Sequence, residues 1–297
     1  MKLHALFQAL LLQTLLSHAL GAGTIRSIFL FKDVLKSNTT ALTTSGFNTL
    51  IIFGVGVLAN GDIMYYSNTP GSSDALIASN GTYVGGDALA TKVRSFKTAS
   101  GTLVNRVEIC MNAQNIRALM ASPGGGAATP LYRNFAALRE AWALDAVNND
   151  DESIYDAAST VAFARMLGAI GYRYTIAPYD VGRLAFWAGV VSGANRESKG
   201  LLDRVYLQLY DGGARNVPAD WQATLGMKVV PILWVINDSK PQFGQSVGAA
   251  RSRFAQWSRE AQVAGGGLWN DYDIEKMNLA SASYAEYGYI LNEVFGG

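Results

Sequence analysis

The chain has 297 residues, of which 49% are apolar and 16% charged, and its formal net charge is +1. This composition is typical of a compact globular protein with a large core, and a charge so close to zero argues against nucleic-acid or anionic-membrane binding. We therefore expect neither nucleic acid nor a membrane as a partner of the mature protein, and we expect a monomer.

The first 22 residues have the pattern of a secretory signal peptide. Lys2 provides the basic start, residues 5–16 are mostly apolar, and small residues follow at 17–22. A membrane anchor is less favoured, because the apolar stretch is short and contains polar residues. The sequence therefore predicts a secreted, extracellular protein whose mature part is one domain over residues 23–297.

The two histidines, His4 and His18, both lie in this leader. Its removal would leave no histidine, which excludes Ser-His-Asp and Cys-His nucleophile systems and histidine metal ligands. Proton transfer then falls to carboxylates. Cys110 is the only cysteine, so no intrachain disulfide can form. We expect no metal and no cofactor.

Three glycosylation sequons begin at Asn38, Asn80 and Asn237. Such triplets are frequent by chance, so they give secretion only weak support.

Apolar, β-branched runs recur along the chain in an order that is typical of strands alternating with helices. Eight such runs lie at Ile25–Phe31, Leu50–Val57, Val104–Met111, Leu144–Asp150, Tyr172–Pro178, Arg204–Tyr210, Lys228–Val235 and Gly266–Trp269. Helical spacing of apolar residues covers Asn115–Ser122, Tyr132–Trp142, Tyr155–Leu167, Gly182–Val191, Ala249–Ala264 and Glu275–Val294.

This alternation in one domain predicts an α/β protein with a (β/α)8 TIM barrel. A doubly wound open sheet is the alternative, but no Gly-rich phosphate loop follows the first strand. The glycine-rich stretch 122–126 follows a helical segment and contains a proline, so it is interpreted as a turn between two helices.

An acidic cluster ends the fourth predicted strand. Because side chains alternate along a strand, Asn148, Asp150 and Glu152 share one face. Three polar groups on one face cannot lie in a closed apolar core without partners, so they predict a polar cavity. Asp145 is interpreted as a structural hydrogen-bonding residue, and Asp151 as a loop or helix-capping acid.

Polar and aromatic residues also follow the other late strands. In a TIM barrel the carboxyl ends of the strands carry the chemistry. Aromatic rings, amides and acids together are typical of a sugar-binding site, because rings stack on pyranoses while polar groups bond the hydroxyls. The strand-end residues include Tyr179, Asp180, Gln208, Tyr210, Asp211, Trp234, Trp269 and Asp271.

The cluster resembles the DxxDxDxE motif that ends the fourth strand in glycoside hydrolase family 18, which includes chitinases and endo-β-N-acetylglucosaminidases. Asp145, Asn148, Asp150 and Glu152 have its spacing. The local sequence around these four residues is more similar to that of the endoglycosidase branch and of secreted fungal relatives than to that of typical chitinases.

The resemblance extends in strand order over most of the mature chain. The family commonly has Gln-x-Tyr on the sixth strand, here Gln208 and Tyr210, and a tryptophan on the eighth, here Trp269. It implies substrate-assisted retaining hydrolysis of β-1,4-linked N-acetylglucosamine glycans, in chitin-type chains or the N-glycan core.

The resemblance also implies the roles of single residues. Glu152 would be the general acid, its pKa raised by burial near Asp150. Asp150 would hold the acetamido nitrogen, and Tyr210 the acetamido carbonyl. Trp269 would form the floor of the subsite. The predicted substrate-binding residues are Asn148, Gln208, Trp269, Tyr179, Trp234 and Asp211.

Two positions depart from the family pattern. Asn148 replaces the second acid of the motif, and it can hydrogen-bond Asp150 but cannot share a proton with it. The third strand ends in residues 110–113, Cys-Met-Asn-Ala, where the family has SxGG, and we expect their bulk to narrow the cavity.

Two alternatives follow from the residues. In the first, the barrel is a weakened or inactive enzyme that acts as a carbohydrate-binding, lectin-like or inhibitor-like protein. In the second, it is a carboxylate-pair glycosidase of another family, in which Asp180, Asp211 or Asp271 would lie about 5–10 Å from Glu152.

Overall fold

The computed structural model describes residues 24–296. The predicted signal peptide at 1–22 lies outside the described residues. The eleven strands found there are β1 Ile25–Leu30, β2 Thr49–Val57, β3 Ile63–Tyr65, β4 Ala75–Ser79, β5 Thr82–Tyr83, β6 Arg106–Met111, β7 Ala146–Asn149, β8 Arg173–Ile176, β9 Leu202–Gln208, β10 Val230–Trp234 and β11 Gly265–Trp269.

Eight of these strands form a closed parallel barrel, in the order β1, β2, β6, β7, β8, β9, β10 and β11. The barrel closes because β1 pairs in parallel with both β2 and β11. Each barrel strand coincides with one of the eight predicted runs, so the predicted (β/α)8 barrel is confirmed. Closure removes the sheet edges and leaves the carboxyl ends of all eight strands at one rim.

Helices pack around the barrel, and those at Thr39–Thr44, Asp87–Thr98 and Pro218–Leu225 were not predicted from the apolar periodicity. The helices span Thr39–Thr44, Asp87–Thr98, Ile116–Ala121, Pro130–Trp142, Ala157–Ile170, Leu184–Asn195, Pro218–Leu225, Val247–Glu260, Asp271–Met277 and Tyr284–Phe295. The glycine-rich stretch 122–126 connects two of them, as predicted. Among residues 24–296, no helix has the length and apolar character needed to cross a bilayer.

The prediction of one helix over Glu275–Val294 is wrong. The first helix ends at Met277 because Asn278 adopts the left-handed conformation, with φ 48°. Asparagine tolerates this conformation better than most residues and commonly ends helices. A new helix begins after Ser283, whose side chain accepts a hydrogen bond from the backbone of Glu286.

An antiparallel extension, β3 to β5, follows β2 and was not predicted. Its last hairpin turns at Asn80 and Gly81, which have φ 51° and 77°. Positive φ at both central residues is the geometry that an Asn-Gly pair favours in a two-residue hairpin. That dipeptide was the sequence signal for the hairpin.

The barrel interior is unusually polar. TIM-barrel interiors are mostly filled with branched apolar side chains. Here Ile51 and Ile232 share the interior with Glu108, Asn148 and Thr175, all of which are fully buried. Since buried polar groups are costly without partners, these three side chains must form hydrogen bonds with each other or with their neighbours.

Candidate active site

A cavity of about 420 Å³ opens at the carboxyl ends of the barrel strands. Its walls combine acids, amides and aromatic rings from seven of the eight barrel strands and the loops that follow them. The lining residues are Phe29, Phe53, Asp150, Glu152, Ala177, Tyr179, Gln208, Tyr210, Asp211, Gly212, Trp234 and Trp269. All predicted site residues except Asn148 therefore meet at this one place.

The two acids of the motif lie directly after β7. Asp150 continues the strand direction, and its backbone N–H donates to Met111 O at 2.9 Å. Asp151 turns the chain, because its carboxylate accepts hydrogen bonds from the backbone N–H groups of Ser153, Ile154 and Tyr155 at 2.7–3.0 Å. Asp151 is thus a loop-capping acid, as its position suggested, and it holds the loop that carries Glu152.

Asp150 lies deep in the cavity and is held by Gln208, whose side-chain amide donates to Asp150 Oδ1 at 3.1 Å and to Ala177 O at 2.9 Å. Burial, assisted by the negative charge of Glu152, raises the pKa of Asp150 to about 8, although the Gln208 hydrogen bond opposes the shift. This shift favours the protonated form of Asp150 at neutral pH.

Glu152 stands at the rim and is exposed. Partial burial raises its pKa, Gln208 lowers it, and the charges of Asp211 and Asp151 raise it. Burial thus raises the pKa of Glu152, as predicted, but Asp150 is the more deeply buried of the two acids. The reason is that the loop after β7 leaves the barrel between these two residues.

Aromatic rings form the apolar walls. Tyr210 and Trp269 lie nearly parallel, with centroids 6.5 Å apart and an interplanar angle of 19°, and Trp234 contacts Tyr210 edge-on at 5.5 Å. Burial beside Asp150 and Glu152 raises the pKa of Tyr210 well above its usual value, so its hydroxyl stays a hydrogen-bond donor. This flat-walled arrangement suits the apolar face of a sugar ring.

Phe29 and Phe53 complete the wall, and sequence reasoning missed both. Their rings lie 5.5 Å and 4.8 Å from that of Trp269. The available signal was position: each residue faces inward near the carboxyl end of its strand. The ends of β1 and β2 are apolar, so no polar strand-end residue marks these two positions as part of a site.

The three acids proposed for a carboxylate pair occupy different places. Asp211 lines the cavity and forms an ion pair with Lys240 across neighbouring loops. Asp180 does not line the cavity, and its carboxylate caps the short turn that begins at Val181. Asp271 is fully buried and accepts hydrogen bonds from the backbone N–H groups of Phe31 and Lys32 at 2.7 and 3.0 Å.

Asn148 lies below the cavity and does not line it. It is 0% exposed, and its Nδ2 donates to Thr175 Oγ1 at 2.9 Å. No hydrogen bond joins it to Asp150 among residues 24–296. The predicted direct contact of Asn148 with a ligand is therefore not available in this geometry, because Asp150 continues the same strand face above it. Asp145 is structural, since it pairs with Lys97 and accepts from the backbone of Val107.

The end of β6 borders open space beside the cavity, and the narrowing expected from the bulk of residues 110–113 stays a prediction. Met111 points into the outer core between barrel and helices, while Cys110 faces the interior. A side chamber of about 200 Å³ extends from Asp150 and Phe53 over Cys110 to Asn112 and Asn68. The site therefore has room beside the main cavity.

The described residues contain no group of three or more His, Cys, Asp and Glu side chains that could hold a metal ion.

The fold is similar to that of several solved structures. Group IV chitinase from Ostrinia furnacalis in complex with allosamidin superposes with a TM-score of 0.60 at 10% identity, over 92% of this chain and 99% of that one. A Pyrococcus furiosus chitinase domain complexed with chito-oligosaccharides gives 0.56 at 10% identity, over 92% and 95%.

The same barrel also occurs in other enzymes, since tryptophan synthase from M. tuberculosis gives a TM-score of 0.51 at 13% identity, over 91% of this chain and 94% of that one. No protein-family model and no curated protein sequence matches the chain. At these identities the comparisons show the (β/α)8 fold, and function must be argued from the site.

Proposed function

We propose that the protein is a glycoside hydrolase that cleaves β-1,4 linkages next to N-acetylglucosamine, in chitin-type chains or in the N-glycan core. The observation that carries the proposal is the convergence of Asp150, Glu152, Tyr210 and Trp269 on one cavity of about 420 Å³. The chitinases with the same fold, one of which holds chito-oligosaccharides, support it.

Glu152 acts as the general acid in this proposal. It stands at the rim, where a glycosidic oxygen between two bound sugars would lie, and its raised pKa favours the protonated form that the step needs. Protonation of the leaving oxygen by such a group contributes about 10²–10⁴-fold to the rate.

Asp150 and Tyr210 act on the acetamido group of the substrate. In substrate-assisted hydrolysis the acetamido oxygen attacks the anomeric carbon, so no second protein carboxylate is needed as nucleophile. Tyr210 donates its hydroxyl to the acetamido carbonyl, and Asp150 holds the acetamido nitrogen. The neighbouring acids do not offer a better nucleophile, because Asp211 is ion-paired with Lys240 and Asp271 is buried away from the cavity.

Gln208, Tyr179, Trp234 and Trp269 bind the sugar. Gln208 positions Asp150, while the rings of Trp269 and Trp234 provide apolar surface on two sides. We also propose that the protein is secreted and works as a monomer outside the cell, in keeping with the leader pattern and with the location of such glycans.

Glu152→Gln tests the proposal with a chromogenic chitobioside, chito-oligosaccharides and a high-mannose glycoprotein as substrates. We expect the native protein to hydrolyse at least one of them and Glu152→Gln to lose about 10²-fold or more of kcat. Glu197→Gln is the matched control, because Glu197 is 67% exposed and pairs with Arg165 outside the cavity. Full activity in Glu152→Gln would show that the acid is assigned wrongly.

A second candidate is a carbohydrate-binding protein without turnover. The observation in its favour is Asn148, which bonds Thr175 and cannot share a proton with Asp150 as an aspartic acid would. Binding of chito-oligosaccharides by the native protein with no product, and hydrolysis after Asn148→Asp, would identify a binding protein derived from an enzyme.

A further inference from the structure

A chain of buried hydrogen bonds below the cavity joins Glu108 on β6, through Thr175 on β8, to Asn148 on β7. The hydroxyl of Thr175 donates to Glu108 Oε2 at 2.7 Å, and Thr175 Oγ1 accepts from Asn148 Nδ2 at 2.9 Å. All three side chains are 0% exposed. Neither Glu108 nor Thr175 touches the cavity, so the proposed mechanism leaves them without a role.

The charge of Glu108 fixes the direction of this chain. Burial alone would raise the pKa of Glu108, but Arg106 at 2.6 Å and Arg204 at 3.8 Å, with the Tyr206 hydroxyl at 2.7 Å, hold it below its usual value. Glu108 is therefore an ionised carboxylate, which can only accept hydrogen bonds. The single hydroxyl proton of Thr175 must point to it.

This direction determines how the Asn148 carboxamide is turned. Because the Thr175 hydroxyl donates its proton to Glu108, the Thr175 oxygen can only accept a hydrogen bond from Asn148. The amide nitrogen of Asn148 must therefore face Thr175. The amide oxygen then points away from β8. Asn148 Oδ1 is buried and has no hydrogen-bond partner within residues 24–296. An unpaired buried acceptor is costly, so this oxygen is available to any donor that reaches it.

The carboxyl of Asp150 is the candidate donor. It lies two residues further along the same strand face, about 6–7 Å along the backbone. It carries a proton at neutral pH, because burial raises its pKa to about 8. The titratable groups that face Asp150 from the surrounding elements are Glu152, Asp151, Tyr210 and Cys110.

We propose that Glu108, acting through Thr175, is a positioning residue that fixes the Asn148 carboxamide so that its oxygen accepts a hydrogen bond from protonated Asp150. The catalytic consequence rests on the proposed function. A motif with two acids would share one proton between them, whereas here the neutral amide holds the proton on Asp150. Asn148 is then a working replacement for the second acid.

The test is the titration of Asp150, followed by ¹³C NMR of carboxyl-labelled aspartate and assigned with Asp150→Asn. Thr175→Val removes the hydroxyl and frees the amide to turn, so protonated Asp150 loses its acceptor. We expect its midpoint to fall by about one pH unit, a ten-fold change in the ionisation constant. Thr175→Ser should restore it. An unchanged midpoint in Thr175→Val overturns the proposal.

Thr43→Val is the matched control, since Thr43 is 1% exposed and its hydroxyl donates to Thr39 O within helix Thr39–Thr44, apart from the Glu108 network; its Asp150 midpoint should stay at the native value. If Thr175→Val does not fold, Asn148→Ala removes the acceptor directly and should give the same fall; no fall there is equally decisive against the proposal.

The NMR midpoints do not depend on turnover, so they separate this inference from the proposed function. A protein inactive on every glycan can still show the shift. If the enzyme is active and Thr175→Val leaves the alkaline side of its pH profile in place, the inference fails while the function stands.

Discussion

The side-chain amide of Gln208 donates to Asp150 Oδ1 at 3.1 Å, joining the end of β9 to the residue that follows β7. This bond spans the intervening strand, where the same amide also bonds Ala177 O. It is the direct hydrogen bond that favours the ionised form of Asp150, and it opposes the effect of burial on the pKa.

Replacement of this donor should shift the pH profile upward. In Gln208→Leu the ionised form of Asp150 loses a hydrogen bond, so its pKa rises above about 8. Because Gln208 lowers the pKa of both Asp150 and Glu152, its loss should move the alkaline limb of kcat/KM to higher pH while kcat falls. The measurement is the pH dependence of kcat/KM for the native protein and for Gln208→Leu. An alkaline limb that moves to lower pH in the variant would contradict the prediction.

Asp150 should make the native protein less stable as the pH rises. Its folded pKa is raised to about 8 from an unfolded value near 4, so the folded state binds more protons between these values. Stability is then highest near pH 4 and falls towards pH 8, and Asp271, with a pKa raised to about 7, acts in the same direction.

Asp150→Asn removes one of these contributions. We expect the variant to be more stable than the native protein at pH 8 by about 1–3 kcal/mol, with a smaller difference near pH 4. Urea unfolding at both pH values measures the effect. Asp220→Asn, on the exposed side of helix Pro218–Leu225, serves as the control. A variant that is less stable than native protein at pH 8 would refute the assignment of a buried, protonated carboxyl.

The hydroxyl of Tyr210 should matter for turnover and little for folding. Tyr210→Phe keeps the ring beside Trp269 but removes the donor to the acetamido carbonyl. We expect kcat on a chitobioside to fall by about 10²-fold, because the hydroxyl holds the acetamido group in the orientation from which its oxygen attacks the anomeric carbon, with the melting temperature unchanged. Tyr289→Phe, at a residue 64% exposed on the last helix, is the control. Equal kcat in both variants would remove Tyr210 from the mechanism.

Only two of the three sequons should carry glycans when the protein passes through a eukaryotic secretory system. Asn38 and Asn80 are exposed. Asn237 is 2% exposed, and its amide donates to Val235 O at 3.1 Å while its oxygen accepts from Lys240 N at 2.7 Å. A glycan attached to this buried nitrogen would have no room in the folded protein. Peptide mapping of folded protein should find Asn237 unmodified, and occupancy at that position would contradict this packing.

The barrel was predictable because buried parallel strands are continuous apolar runs and their helices have clear periodicity. Each barrel strand begins and ends within a few residues of its predicted run, as β7 at Ala146–Asn149 shows against the predicted Leu144–Asp150. The prediction of one helix over Glu275–Val294 failed for a local reason. Asn278 ends the first helix through its positive φ, and apolar spacing does not reveal the φ of a single residue.

The sequence by itself determined which residues lie at the carboxyl ends of the strands, because strand order and side-chain alternation place them there. Only the tertiary structure decided what each touches. Phe29 and Phe53 join Trp269 because closure brings β1 and β2 beside β11. Asn148 turns to Thr175 because Glu108, 40 positions earlier in the chain, fixes the hydroxyl between them. Burial and hydrogen-bond direction are properties of these long-range contacts, and no local pattern encodes them.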